Sequence, residues 1–200
     1  MTYSASPFGA RIGRAPVPHL EVALKPNRFA VLSCGLLLAA WCVAAPAAGA
    51  TYPVNLALFN PVQVFPEKAS ITGLRINLIY GVNENVGGLD VGLVNTANGT
   101  FTGLQYGLVN CDKGKVTGWQ DGLINLADTQ FLGFQSGAYN QAGDATGFQY
   151  GLINRTDSMH GVQLGLFNMT KKMHGVQVGI GNLISEKKGL PFLPIVNWQM

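Results

Sequence analysis

His160 and His174 stand fourteen residues apart, each after a methionine and before a glycine. Side by side on neighbouring copies of a repeat, two imidazoles would be the start of a metal site. Established zinc sites use three or four protein ligands, however, and two ligands without a nearby carboxylate or thiolate make a poor one. Metal binding is therefore not expected. Ser136, Asp121 and the histidines supply the atom types of a hydrolase, yet no motif brings nucleophile, base and orienting acid into mutual reach. Cys111 precedes Asp112, whose charge raises a thiol pKa and discourages nucleophilic use. The many glycines invite a phosphate-loop reading. Such loops need a strand, then glycines, then a helix N-terminus, with a Lys-Ser/Thr pair in one class. None is present, so no catalytic, cofactor or metal residue is assigned and an enzyme is not expected.

These residues sit in copies of one octet, Gly-apolar-Gln-apolar-Gly-apolar-apolar-Asn. It reads Gly103-Leu104-Gln105-Tyr106-Gly107-Leu108-Val109-Asn110, then Gly147 to Asn154, then Gly161 to Asn168. Units start near residues 53, 73, 88, 103, 118, 133, 147, 161, 175 and 189, at a spacing of fifteen that shortens to fourteen. A fixed short period means one small β unit copied many times. The last unit carries two prolines, Pro191 and Pro194, as a terminal element or bulge would.

Of 13 Lys and Arg, four lie before Thr51, as does one of the 10 Asp and Glu, leaving nine of each sign afterwards. With no basic stripe, nucleic-acid binding has no electrostatic footing. The first fifty residues read as a basic leader (Arg11, Arg14, Lys25, Arg28), an apolar run from Phe29 to Ala45 and a small-residue stretch ending in Ala48-Gly49-Ala50. That order is a secretory signal with cleavage after Ala50, the alternative being a single membrane anchor. Residues 51–200 then form one β-repeat domain. Cys34 and Cys42 leave with the signal, and Cys111 alone forms no internal disulfide.

Period-two alternation over segments of about ten residues, such as Phe101 to Asn110, is a strand signal. Intervening turn-like stretches include Thr96 to Thr100 and Cys111 to Lys115. One face presents Leu104, Tyr106, Leu108 and their counterparts. The other carries Gly-Gln-Gly, and its central row reads Asn55, Arg75, Asp90, Gln105, Gln120, Gln135, Gln149, Gln163, Gln177. Arg75 and Asp90 share one level on neighbouring copies, so the row's only charges can pair, as in an enclosed row. Packing of a tight interior is the preferred role for it, ahead of a polar channel or sugar-binding amides. The fold class is all-β, with two architectures. A ten-stranded antiparallel up-and-down barrel would point the apolar row at lipid and span roughly 25 Å. A parallel β-solenoid would instead stack Gln and Asn as amide ladders. The barrel is favoured, because a ten-residue alternation is too long for one side of a fourteen-residue coil. Against it, Asp121 and Ser136 would face lipid, and every repeat is one strand long.

The run Asn77-Leu78-Ile79-Tyr80-Gly81, the octet at 88–95, the later copies and the closing Leu190 to Trp198 resemble a bacterial family. It is the surface-repeat proteins of the leptospiral type, found widely in Gram-negative bacteria. The resemblance covers Val54 to Trp198 and implies export to the cell surface or outer membrane. It implies no activity, cofactor or catalytic residue. The chain ends in Met200 after Gln199, not in the aromatic residue common in the family. The expected function is a non-enzymatic envelope protein, as a small outer-membrane barrel in contact with lipid. The alternative is a secreted or surface-attached solenoid binding module.

Overall fold

The computed structural model describes residues 49–200. Apart from its last two residues, the segment read as a signal lies outside them. Among the described residues the secondary structure is entirely β: β1 (Thr51–Phe59), β2 (Val62–Gln63), β3 (Ser70–Asn83), β4 (Val86–Ala97), β5 (Phe101–Asp112), β6 (Val116–Ile184) and β7 (Phe192–Gln199). Neighbouring copies pair in parallel, level with one another: Ile71 with Val86, Val86 with Phe101, Phe101 with Val116. β6 is one unbroken extended run through the coils that begin at Val116, Phe131, Ala145, Met159 and Met173. Each repeat is one coil of a parallel β-solenoid.

This overturns the barrel, whose meander requires antiparallel neighbours. The alternation that argued for a ten-residue strand is two shorter arms. In the coil of residues 101–115, pairing lapses at Leu108, where the chain turns a corner between Tyr106 and Val109. The side-chain parity resets there, so that Gln105 points in, Leu108 out and Asn110 in. The two arms then face each other, and Gln105 on the first reaches Asp112 on the second, 3.4 Å away. Cys111 and Asp112, read as turn residues, belong to the second arm of β5.

The first glycine of each octet permits this stacking. Gly118 has φ +130°, a conformation that side chains rarely adopt, and an added Cβ would collide with the carbonyl of Gly103 in the coil before. The second glycine also lies against the carbonyl of the coil before, and faces a side chain besides: at Gly122 the added Cβ would meet the Gly107 carbonyl oxygen first. A Cβ on Gly122 would lie 2.8 Å from Asn110 Nδ2, so a side chain is absent where an asparagine ladder passes.

Apolar packing is confined to a spine along the closed end of the coils, including Val86, Phe101, Val116, Phe131 and Met159 with Ala97, Ala127 and Ala142 across from them. Both ends are capped. At the start, the chain after β1 folds back antiparallel through β2, and Phe65 stacks on Tyr52 with ring centroids 3.7 Å apart. At the end, the final unit is no coil: β7 runs antiparallel to the last coil, with a register shift near Gly179–Asn182 and φ +69° at Ile195. Its prolines blunt the outer edge against further strand addition.

Candidate functional site

Asn55, Arg75, Asp90 and the six glutamines of the central row are all fully buried. Each glutamine Nε2 donates to the Oε1 of the coil before, at 2.9 Å for Gln120 to Gln105 and 2.7 Å for Gln135, Gln149 and Gln163 to theirs. The direction has a cause. At the N-terminal end the row meets Asp90, an acceptor-only carboxylate, so Gln105 must present its amide nitrogen there, at 3.0 Å. Every later glutamine inherits that orientation. A second ladder, of asparagines, runs the other way: Asn95, Asn110, Asn125, Asn140, Asn154 and Asn168 each donate to the next Oδ1 at 2.8–2.9 Å. The opposed directions leave one unpartnered acceptor at each end, Asn77 Oδ1 and Gln177 Oε1. An asparagine ladder beside the glutamine one is what the solenoid alternative implied, whereas the favoured barrel did not provide for it. The recurrence of Asn at the end of each octet from Gly88 to Asn182 was the available signal for the second ladder.

Three ionisable side chains share the buried interior near the N-terminal end. Arg75 grips Asp90 with two bonds, Nε to Oδ1 at 2.8 Å and Nη2 to Oδ2 at 2.6 Å, and also donates to the Thr96 carbonyl at 2.8 Å. Asp112, which sequence reading left in a turn, accepts from the Ala97 N–H at 2.9 Å and from Gln120 at 2.8 Å. One guanidinium thus faces two carboxylates. Burial above all, then the nearby charge of Asp90, pushes Asp112 up to about 7, against the pull of the Ala97 N–H, the Gln105 amide and Arg75. The folded protein therefore holds a proton that the unfolded chain, at the ordinary 3.8, has released. Stability should fall as pH rises from about 4 to about 7 and level off above, by a few kcal/mol in all. Urea unfolding across pH 4.5 to 8.5 measures this slope, and Asp112→Asn should flatten it. An equal slope in both proteins would assign the proton elsewhere.

The outer surface is the unusual part. Along the corner Leu93, Leu108, Leu123, Leu152, Leu166 and Ile180 form a ridge, each 44% to 65% exposed. Beside it Tyr106, Trp119, Phe134 and Phe148 line up across four coils, with centroid separations of 6.1, 5.3 and 5.4 Å. These aromatics belong to the apolar row that a barrel would point at lipid. They lie on the outside of the solenoid, because the amide ladders already fill its interior. Ser136 and Ala138 interrupt the rows and leave an open notch of about 570 Å³, bounded by Tyr150, Leu152, Leu164 and Leu166. Asp121 is the charge within this face, one coil before Ser136. Other exposed charges, among them Lys113, Lys115, Asp128, Asp144 and Lys171, sit on the opposite edge, where each coil closes.

No family model matches the chain, nor does any curated protein or solved structure. Function must come from this geometry. Cys111 is half-buried, and burial first, then Asp128 and Asp112, raise its thiol pKa, so it is a poor nucleophile. Ser136 and Asp121 lie on adjacent coils of the apolar face, away from the row that carries His160 and His174. Those two rings are neighbours, 5.6 Å apart. Among the described residues no three His, Cys, Asp or Glu converge, and no helix is long and apolar enough to cross a membrane.

Proposed function

We propose that this chain is a non-enzymatic, exported β-solenoid that attaches to lipid at a bacterial envelope surface by its apolar corner ridge. The observation that carries the reading is the inverted distribution of side chains. Amides and an ion pair are buried, while a leucine ridge, broken only at Ala138, faces outward over successive coils. Exposed apolar patches beyond a few hundred Å² mark interaction surfaces. Each half-exposed leucine contributes about 1 kcal/mol when its remaining surface leaves water, so the six ridge residues together supply about 6 kcal/mol. The exposed charges lie mostly on the edge opposite the ridge, the layout of an interfacial amphipathic element. Parallel coils pair their backbones with one another, so contact with lipid exposes few unpaired peptide groups. The signal-like leader and the resemblance to bacterial surface-repeat proteins point to the same place.

Vesicle flotation tests it. The protein should float with neutral phospholipid vesicles, with little dependence on salt, because positive and negative charges balance. Leu123→Asp with Leu152→Asp should lower partitioning by more than about 100-fold, as each carboxylate is costly in hydrocarbon. Both positions are exposed, so the fold should survive. A wild-type protein that stays with the buffer as a monomer would overturn the proposal. Asp121 and the notch at Ser136 and Ala138 favour a second reading, a protein partner that fills the notch and pairs with the carboxylate. That reading predicts binding abolished by Asp121→Asn and unchanged by vesicles.

A further inference from the structure

Both histidines of the described residues stand on adjacent coils at one level of the outer face. The same row holds Thr72, Thr102, Thr117 and Thr146 in earlier coils. Histidine thus replaces threonine in two consecutive coils, the arrangement a chelate requires. Parallel strands lie about 4.8 Å apart and in register here, which aims both side chains the same way. The rings have centroids 5.6 Å apart, tilted by 42°, and both residues are exposed. With a metal–nitrogen bond of about 2.1 Å and a ring nitrogen about 1.2 Å from its centroid, two imidazoles put their centroids about 5.4 Å apart at the tetrahedral angle and about 4.7 Å apart at the right angle of a tetragonal site. The observed 5.6 Å lies close to the first value and somewhat beyond the second. Packed in-register backbones hold the two Cα atoms, so little order is lost on binding.

We infer that His160 and His174 form a solvent-facing bidentate site for a borderline divalent transition cation such as Cu²⁺ or Ni²⁺. Imidazole selects these ions over Mg²⁺ and Ca²⁺, which require oxygen ligands. The remaining coordination positions face solvent and are filled by water or by a donor from a partner. Lys171 is engaged by Asp157 at 2.9 Å and Lys172 lies 3.9 Å from Glu186, so the neighbouring lysines are partly balanced. The site is independent of the apolar ridge and stands whether or not the protein binds lipid.

Titration calorimetry and electron paramagnetic resonance with Cu²⁺ alone test it, on the mature chain at pH 7.5. One ion per chain should bind in the micromolar range, with hyperfine splitting from two equivalent nitrogens. His160→Gln and His174→Gln should each weaken binding at least tenfold. Moving one histidine to the next coil but one, as His160→Thr with Thr146→His, keeps the histidine count and breaks adjacency. That variant should bind like the single mutants. Wild-type affinity in it, or in either single mutant, would overturn the inference, as would a spectrum with one nitrogen or none. Thermal unfolding of the metal-free variants should match the wild type, since these side chains are exposed.

Discussion

Gly133→Ala should break the stack at its middle. Gly133 has φ +140°, and a Cβ there would overlap the Gly118 carbonyl oxygen, with the carbonyl carbon at 2.9 Å. The obstacle is backbone, so no side chain can rotate away. Backbone strain costs about 1–3 kcal/mol and the overlap a similar amount, giving a loss of about 4 kcal/mol. The loss is also non-local, because coils in a solenoid are stabilised chiefly by their neighbours. Gly189→Ala is the matched control. Gly189 has φ +107° with nothing within 4 Å of the added atom, so it reports strain without collision. Denaturant unfolding of both should show at least twice the loss at Gly133. Equal losses would mean that conformation, not close approach between coils, requires the glycine column.

Arg75→Met should be comparably damaging, by about 3–5 kcal/mol at pH 8, because it leaves Asp90 buried without its cation and with Asp112 close by. At pH 5 the cost should be smaller, since Asp112, pushed up to about 7, is then protonated and adds no second negative charge. The more informative protein is the double replacement Arg75→Gln with Asp90→Gln, which continues the glutamine row toward the first coil. The amide introduced at position 90 would accept from Gln105 through its oxygen, as Asp90 does. Its nitrogen would donate to the amide introduced at position 75, so the column would run on unbroken. Breaking one partner of a buried pair is costly, whereas replacing both with matched groups is often near neutral. The double variant should therefore recover most of the stability lost by Arg75→Met. It should also reduce the pH slope, by removing the Asp90 charge that raises Asp112. If it is no more stable than Arg75→Met, the ion pair contributes something that an amide ladder cannot replace.

The glutamine ladder explains why the interior tolerates so many polar groups. Each amide both donates and accepts, so an in-register column satisfies itself except at its ends. Those ends are where the exceptions collect. Asp90 and Arg75 terminate one end of the glutamine column, and Gln177 Oε1 is left without a partner at the other. A substitution such as Gln135→Leu would orphan two neighbours at once, the Oε1 of Gln120 and the Nε2 of Gln149.

Much of this was legible in the residues alone. The period of fourteen or fifteen marked copied β units, and the alternation separated an amide-bearing row from an apolar one. Arg75 and Asp90 fell at one level because repeats align equivalent positions. Strand direction was not legible. Gly-x-Gln-x-Gly reads almost the same in both directions, and a period of two says which side a residue faces without saying which way its neighbour runs. Only the folded chain shows the corner at Leu108, where the parity resets and a segment that looked like one long strand becomes two arms of a coil. That same corner turned Val109 outward, brought Asp112 from an apparent turn into the core beside Asp90, and left Trp119, Phe134 and Phe148 outside. The physical reason is that a coil closes through contacts between its two arms. Residues seven or eight apart, such as Gln105 and Asp112, meet only once the backbone has bent.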